Sequence, residues 1–315
     1  MIRTVTLNSG FDDIYSVTDV VFGGVGDLRG QTTLASGKGV NAARMAHALG
    51  APVTAYALVG AADERRFCEL LTAEAIACRL ITVDAATRHN VTLISEAADQ
   101  PSAHFRAPGF RIRDPGPIIH LVEQLRRDTA AGDVVTLNGS CPAGLGHQVW
   151  RDIGEVVVEK GGRLVIDVQG QSLVEVLGSL PVAVCKPNDS EMFDLPGVAG
   201  LQRWDAVRAA LRYMAKCAVE LPIVTLGPDG VAFGLDGEAW VATCPAQARV
   251  TVGAGDAFTG AMAVEIGRHG SADLSAVTEA TAVAAAFVTG IPVAGLAGVL
   301  EEFRSRVDVR RLDDR

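Results

Sequence analysis

The sequence predicts an α/β fold, a mostly parallel central sheet with helices on both faces and a small β unit beside it. Two observations carry this. From Pro117 onward, apolar strand-like runs alternate with helix-length segments, the pattern of a parallel sheet crossed by helices. Residues 15–34 and 89–106 instead show short β-like runs broken by glycine, so they read as excursions that pair into one small sheet.

Taken in order, Ile2 to Leu7 alternates and is β-branched, and it ends at Asn8-Ser9-Gly10. Asp12 then lies beyond the carboxyl end of the first strand, where open α/β sheets bind ligands. A helix follows Ala35-Ser36-Gly37-Lys38-Gly39 and runs to Leu49, stopped by Gly50. Val53–Val59 reads as a strand, Asp63–Ala75 as a helix and Arg79–Val83 as a short strand. Helices 117–130 and 148–160 precede strands 134–137 and 163–167. A short helix, 172–177, leads to strand 182–185, helix 204–217 and strand 222–226. A hairpin (231–235, 239–242), helices 255–268 and 273–289, and a last helix 296–307 complete the chain. The charged end, 308–315, reads as a solvated tail. The whole, residues 1–315, is expected to be one domain with lid segments at about 13–34 and 89–107.

Composition narrows the function. A formal net charge of −9 argues against a partner bound through nucleic-acid phosphates. Six cysteines have no C-x-x-C pair and read as free thiols in a reducing compartment. With no long apolar run and no signal-like N-terminus, a cytoplasmic location without a membrane partner is expected. The histidines lack metal-ligand spacing, and no G-x-x-x-x-G-K-[ST], H-E-x-x-H or G-x-S-x-G occurs.

Three motifs remain. Thr251-Val252-Gly253-Ala254-Gly255-Asp256 places two glycines and an acid at a helix start. Backbone N–H groups there can converge on an anion, and an acid beside an anion makes sense if it handles a proton; equally, Asp256 can simply cap the helix. Gly37-Lys38-Gly39-Val40-Asn41-Ala42 fits the G-x-G-x-x-A dinucleotide fingerprint, with Asp63 as the candidate ribose acid. It also fits an anionic or hydroxylated substrate site, or a plain glycine turn. Lys186-Pro187-Asn188 with Glu191 fits a functional turn or an ordinary capping box.

In combination and order, Asp12, the Gly37-Lys38-Gly39-Val40-Asn41 turn, Lys186-Pro187-Asn188-x-x-Glu191 and Gly253-Ala254-Gly255-Asp256 resemble the PfkB carbohydrate kinases of the ribokinase-like fold. Thr87-Arg88-His89-Asn90-Val91 and Asn138-Gly139-Ser140-Cys141-Pro142 are similar to segments of the 1-phosphofructokinase and tagatose-6-phosphate kinase branch. The resemblance implies a three-layer α/β/α domain that uses ATP and Mg²⁺ to phosphorylate a sugar phosphate. Asp256 would be the general base, and the backbone of Gly253, Ala254 and Gly255 the anion hole. Asp12, Gly37 and Asn41 would hold the sugar, and Lys38 and Arg88 its phosphate. Lys186, Asn188, Thr225, Gly227 and Gly230 would line the nucleotide site, with small residues near Ala284–Thr289 at the adenine. Asn188 and Glu191 would serve magnesium indirectly. A homodimer through the lid is implied by the same resemblance.

The chain departs from the family pattern at Ser9-Gly10, Ser36 and Val250. The first three put the sugar's identity in question, and Val250 the nucleotide side. Rival expectations are a kinase for an unphosphorylated sugar or nucleoside, an NAD(P) dehydrogenase, and a catalytically silent sugar-phosphate binder.

Overall fold

The computed structural model describes residues 1–19, 23–95 and 103–312. The lid expectations at 20–22 and 96–102, and the tail at 313–315, lie outside the described residues. The first half contains β1 (Ile2–Thr6), β2 (Gly10–Val17), β3 (Leu28–Ser36), α1 (Lys38–Ala48), β4 (Val53–Gly60), α2 (Glu64–Ala73), β5 (Ala77–Val83), β6 (Arg88–Ser95) and β7 (Ala103–Phe105). Next come α3 (Gly116–Asp128), β8 (Val134–Gly139), α4 (Val149–Glu159), β9 (Arg163–Val168), α5 (Gln171–Val176) and β10 (Val182–Cys185). The chain continues with α6 (Arg203–Lys216), β11 (Val219–Thr225), β12 (Val231–Leu235), β13 (Glu238–Thr243), α7 (Ala254–His269), α8 (Leu274–Val288), α9 (Leu300–Arg304) and β14 (Asp308–Arg311).

Ten strands form one sheet in the order β14-β13-β12-β11-β10-β9-β8-β1-β4-β5. Pairing is parallel from β11 to β5 and antiparallel from β11 to β14. The inner parallel strands β4, β8, β9 and β10 are buried on both faces, which is why they read as apolar runs, whereas β5 at the edge is partly exposed. One face packs on α1, α7 and α8 through Val40, Met45, Phe258 and Val283; the other packs on α3, α4 and α6 through Leu121, Trp150 and Val207. The fold is therefore a three-layer α/β/α sandwich. The chain leaves β1 first toward β4 and later returns toward β8, so the sheet order reverses at β1 and opens a crevice at the carboxyl ends there.

The two β excursions do pair. β3-β2-β6-β7 form a separate four-stranded sheet, with β2 parallel to β6 from Gly10↔Arg88 to Val17↔Ser95. β3 runs into α1 with only Gly37 between them, at φ 134°, a conformation that favours glycine. A Cβ at Gly37 would come within 2.7 Å of Thr6 Cγ2.

The carboxyl end of the described chain corrects the sequence expectation twice. In place of one helix over 296–307 there is a 3₁₀ stretch, Val293–Gly298, followed by the short α9. Glycines at 295 and 298 disfavour a continuous α-helix there. The charged tail is not free up to Leu312: β14 pairs antiparallel with β13, Arg311 lies 5.5 Å over the Trp240 ring, and Leu312 is fully buried. Its charges suit an edge strand, where they discourage pairing with another chain.

Candidate active site

The sequence-predicted residues converge at the carboxyl ends of the central strands. Asp256 is the third residue of α7, not its cap; the N-cap is Gly253, in the left-handed region at φ 94°. The capping reading of Asp256 fails for that reason. Its carboxylate instead accepts a hydrogen bond from Asn41 Nδ2 at 2.8 Å. The Asn41 carbonyl in turn accepts from Arg44 Nη1 at 3.0 Å, which fixes the amide orientation, and Arg44 is ion-paired to Glu74.

Asp256 is only 8% exposed. Burial, followed by the negative charge of Asp167, pushes it up from 3.8 to about 6, against the pull of Lys38, Asn41 and Lys186. A carboxyl in this range ionises near neutrality and remains basic enough to take a proton.

Asp167 is the charged residue of this site that the motifs missed. Lying in β9 and 1% exposed, it accepts from Lys38 Nζ at 2.9 Å and Thr259 Oγ1 at 3.0 Å, with Lys186 Nζ at 3.2 Å. Burial opposes its ionisation, but Lys186 and Lys38 outweigh burial and hold it below the usual carboxylate range. The signal available in sequence was an acid at the end of the apolar run Leu164-Val165-Ile166.

Lys38 also reaches Glu191 at 3.2 Å. Burial disfavours its charge, yet Asp167, Glu191 and Asp256 together raise its pKa well above the usual lysine value. These carboxylates draw its ammonium to the side of Lys186 and Asp167. The expected partnership of Lys38 with Arg88 around one anion is therefore not what the geometry presents.

Arg88 stands at the small sheet, donating to the carbonyl oxygens of Asn8 (2.8 Å) and Ala107 (3.4 Å), with its Nε buried and unpartnered. Burial weakens its charge while nearby Asp12 supports it. Asp12 accepts from Asn90 Nδ2 at 2.7 Å and Ser36 Oγ at 2.6 Å. Two departures from the family pattern thus acquire structural roles. Ser36 orients Asp12, and Gly10 makes room for Arg88, whose Cγ would lie 2.9 Å from a Cβ at that position.

Beside Asp256 opens a cavity of about 710 Å³, a size suited to a nucleotide. Lys186, Asn188, Thr225, Gly227 and Gly230 line it, as do Gly253 to Asp256 and, farther along, Ala284, Ala285 and Val288. At its α7 wall the N–H groups of Gly253, Gly255 and Asp256 make no backbone hydrogen bond, and that of Ala254 reaches Thr251 O only at 3.4 Å. Such orphan donors at a helix N-terminus suit an anion. A Cβ at Gly255 would lie 3.4 Å from Lys186 Nζ, so the ammonium sits at the same wall.

Asn188 and Glu191 form the capping box. Asn188 Oδ1 accepts from the N–H groups of Ser190 and Glu191, and Glu191 Oε2 from Asn188 N. Glu191 Oε1 accepts from Lys38 and Gln169. These atoms are already engaged, and among the described residues no three His, Cys, Asp or Glu side chains converge to hold a metal. A magnesium ion ligated directly by this pair does not fit. One carried on substrate phosphates and water, the usual manner for Mg²⁺, needs no such cage.

The dinucleotide reading of Gly37-Lys38-Gly39 also fails. The motif follows β3 of the small sheet rather than a parallel central strand, and a Cβ at Gly39 would come within 2.5 Å of Thr6 Oγ1. The close approach serves packing on β1.

A helix N-terminus offering free amides, a buried carboxylate beside it and a nucleotide-sized cavity define a phosphotransferase site on a three-layer α/β/α fold. The pfkB family carbohydrate kinase model matches residues 13–293, and the chain belongs to that family; it is a carbohydrate kinase. A 1-phosphofructokinase of Haloferax volcanii is 31% identical over 95% of this chain and 92% of its own length. The ATP-dependent 6-phosphofructokinase isozyme 2 of Escherichia coli is 27% identical over 75% of each. The fold matches the solved structure of phosphofructokinase-2 from Escherichia coli in complex with fructose-6-phosphate, with a TM-score of 0.85, 22% identity, and coverage of 96% of this chain and 98% of that one.

Proposed function

We propose that this kinase transfers the γ-phosphoryl group of ATP to a hydroxyl of a hexose phosphate, with fructose 1-phosphate first among the candidates and fructose 6-phosphate and tagatose 6-phosphate next. The observation that carries the reading is the position of Asp256. One side of it is held by Asn41, on the helix that follows the small sheet, and the other borders the cavity with its free amides. An acceptor hydroxyl hydrogen-bonded to Asp256 would face a phosphoryl group held by Gly253, Ala254 and Gly255.

In this mechanism Asp12 and Asn41 orient the sugar, and Asp256 takes the hydroxyl proton as the oxygen attacks. The α7 amides and Lys186 stabilise charge on the transferring group, so positioning and electrostatics do most of the catalysis. Lys38 and Asp167 hold that charge pattern in place. Magnesium bound to the nucleotide supplies further charge neutralisation.

Arg88 favours a phosphorylated sugar over a neutral one. Its guanidinium uses two N–H groups on backbone carbonyls, leaving donors for an anion. Arg88→Ala is expected to raise KM for the phosphosugar by roughly 10- to 100-fold, the loss of one charge-assisted contact, while leaving any turnover of a free sugar nearly unchanged. Steady-state kinetics on both substrates checks this. An ADP-release screen across the three hexose phosphates, free sugars and nucleosides tests the reading as a whole. Turnover confined to unphosphorylated acceptors would overturn it, and no ADP with any acceptor would favour a silent binder.

We further place the reaction in the cytoplasm, where ATP and free thiols are at home, with the small sheet as a lid. Leu28, Ile94 and Phe105 are exposed on that sheet, apolar side chains that a second copy in a homodimer would cover. Light scattering should return twice the 32.9 kDa chain mass, and a monomer would rule the assembly out.

A further inference from the structure

Helix α2 is a brace with both ends tied to the substrate side of the site. At its start, Asp63 Oδ2 accepts the Thr87 N–H at 3.0 Å, and Thr87 Oγ1 accepts from Gly60 N at 2.9 Å, immediately before Arg88. At its end, Glu74 grips Arg44, which orients Asn41 and through it Asp256. Midway, Phe67 packs 5.5 Å from Phe11, which lies next to Asp12. The helix rests on β5, an edge strand of the large sheet.

Across this contact two thiols meet. Cys68, on α2, and Cys78, on β5, lie with sulfurs 3.8 Å apart, and neither is fully buried. The other cysteines have no sulfur partner of this kind among the described residues. Cys78 directs its S–H at Cys68. Burial, and then that hydrogen bond, push the Cys78 thiol up to about 12, so it acts as donor and leaves Cys68 as the acceptor sulfur.

We propose that Cys68 and Cys78 are an oxidation site, closed by a peroxide into an intrachain disulfide, and that closure shifts α2 and weakens the sugar-phosphate side of the active site. The Cys68 thiolate attacks a peroxide oxygen. The O–O bond breaks, water or an alcohol leaves, and Cys68 carries a sulfenic acid. The Cys78 sulfur then attacks Cys68 Sγ, the S–O bond breaks, and the hydroxide leaves as water with the Cys78 proton. Two thiols are oxidised and one peroxide is reduced. The sulfurs must close from 3.8 Å to about 2.0 Å, which draws α2 along β5 and carries Asp63 and Glu74 with it.

The experiment treats the full-length protein with a small excess of hydrogen peroxide, then maps peptides without reduction and measures kinetics with the best acceptor from the ADP-release screen. The expected result is one linked peptide pair, Cys68 to Cys78, and a KM for the acceptor raised at least threefold, both reversed by dithiothreitol. Cys68→Ser and Cys78→Ser should each abolish the link and the KM change while retaining untreated activity. Both cysteines remaining alkylatable after treatment would overturn the site. A link with unchanged KM would overturn its coupling to the active site. The mapping stands whichever acceptor the enzyme uses, so failure of the oxidation site is distinguishable from failure of the hexose-phosphate reading.

Discussion

Asp256→Asn is expected to lower kcat by roughly 10²- to 10⁴-fold with little change in the affinity for ATP, the range set by loss of a positioned general base. The substitution keeps the shape of the side chain and an oxygen for Asn41, so the helix and the cavity remain. What disappears is the ability to take a proton. The wild-type enzyme should show the same dependence in its pH profile. A base with a pKa of about 6 must be ionised to work, so kcat should fall as pH drops through about 6 and level off above it. Stability should move the other way. Because folding raises Asp256 from 3.8 to about 6, its ionisation costs the folded state, and the wild type loses stability as pH rises between those values. At pH 8 the Asn variant escapes that cost and should melt about 2–6 °C higher. Full turnover in this variant would sink the proposed mechanism.

Asp167→Asn should do the reverse damage. The wild-type carboxylate separates two cationic side chains, Lys38 and Lys186, in a nearly dry environment. Neutralising it strips Lys186 of its ion-pair partner and leaves Lys38 only Glu191, and removing one partner of a buried ion pair costs about 3–5 kcal/mol. Urea unfolding should report that loss, and adding ATP should recover part of it, since an anion replaces the missing charge. The sign with pH follows. Folding holds Asp167 below its ordinary value, so its contribution is present above that value and is lost as pH falls through the lowered pKa. In residual activity the acid limb should shift below pH 6, because Asp256 no longer feels its negative neighbour. An unchanged limb would mean that burial alone sets Asp256.

The central sheet was legible because parallel strands and their crossover helices carry strong apolar patterns, and β8 to β11 fall close to where the pattern puts them. β14 was not, since a charged four-residue edge strand has the composition of a tail until Trp240 and the rest of β13 are beside it. Within the site, Asp256 was marked as a candidate by its glycine motif, and Arg88 only by the resemblance of Thr87-Arg88-His89-Asn90-Val91 to a family segment. Asp167 has no motif, and its importance arises from two lysines that lie 129 and 19 positions away. Lys38 could be recognised as functional from Gly37-Lys38-Gly39, but which anion it faces depends on Asp167 and Glu191, and spacing cannot supply that.

The join between β3 and α1 has a consequence for economy in the cell. Six residues in a row touch three parts of the reaction: Ser36 holds Asp12, Lys38 meets Asp167, and Asn41 holds Asp256. With only Gly37 between sheet and helix, a tilt of the small sheet would act on both Asp12 and Asp256, the sugar-binding acid and the base of the proposed mechanism. A sugar seated against Asp12 would settle that tilt, whereas a lone water molecule would not. Under the proposed mechanism, that linkage would let a seated acceptor, but not water, align Asp256 and so would limit ATP hydrolysis.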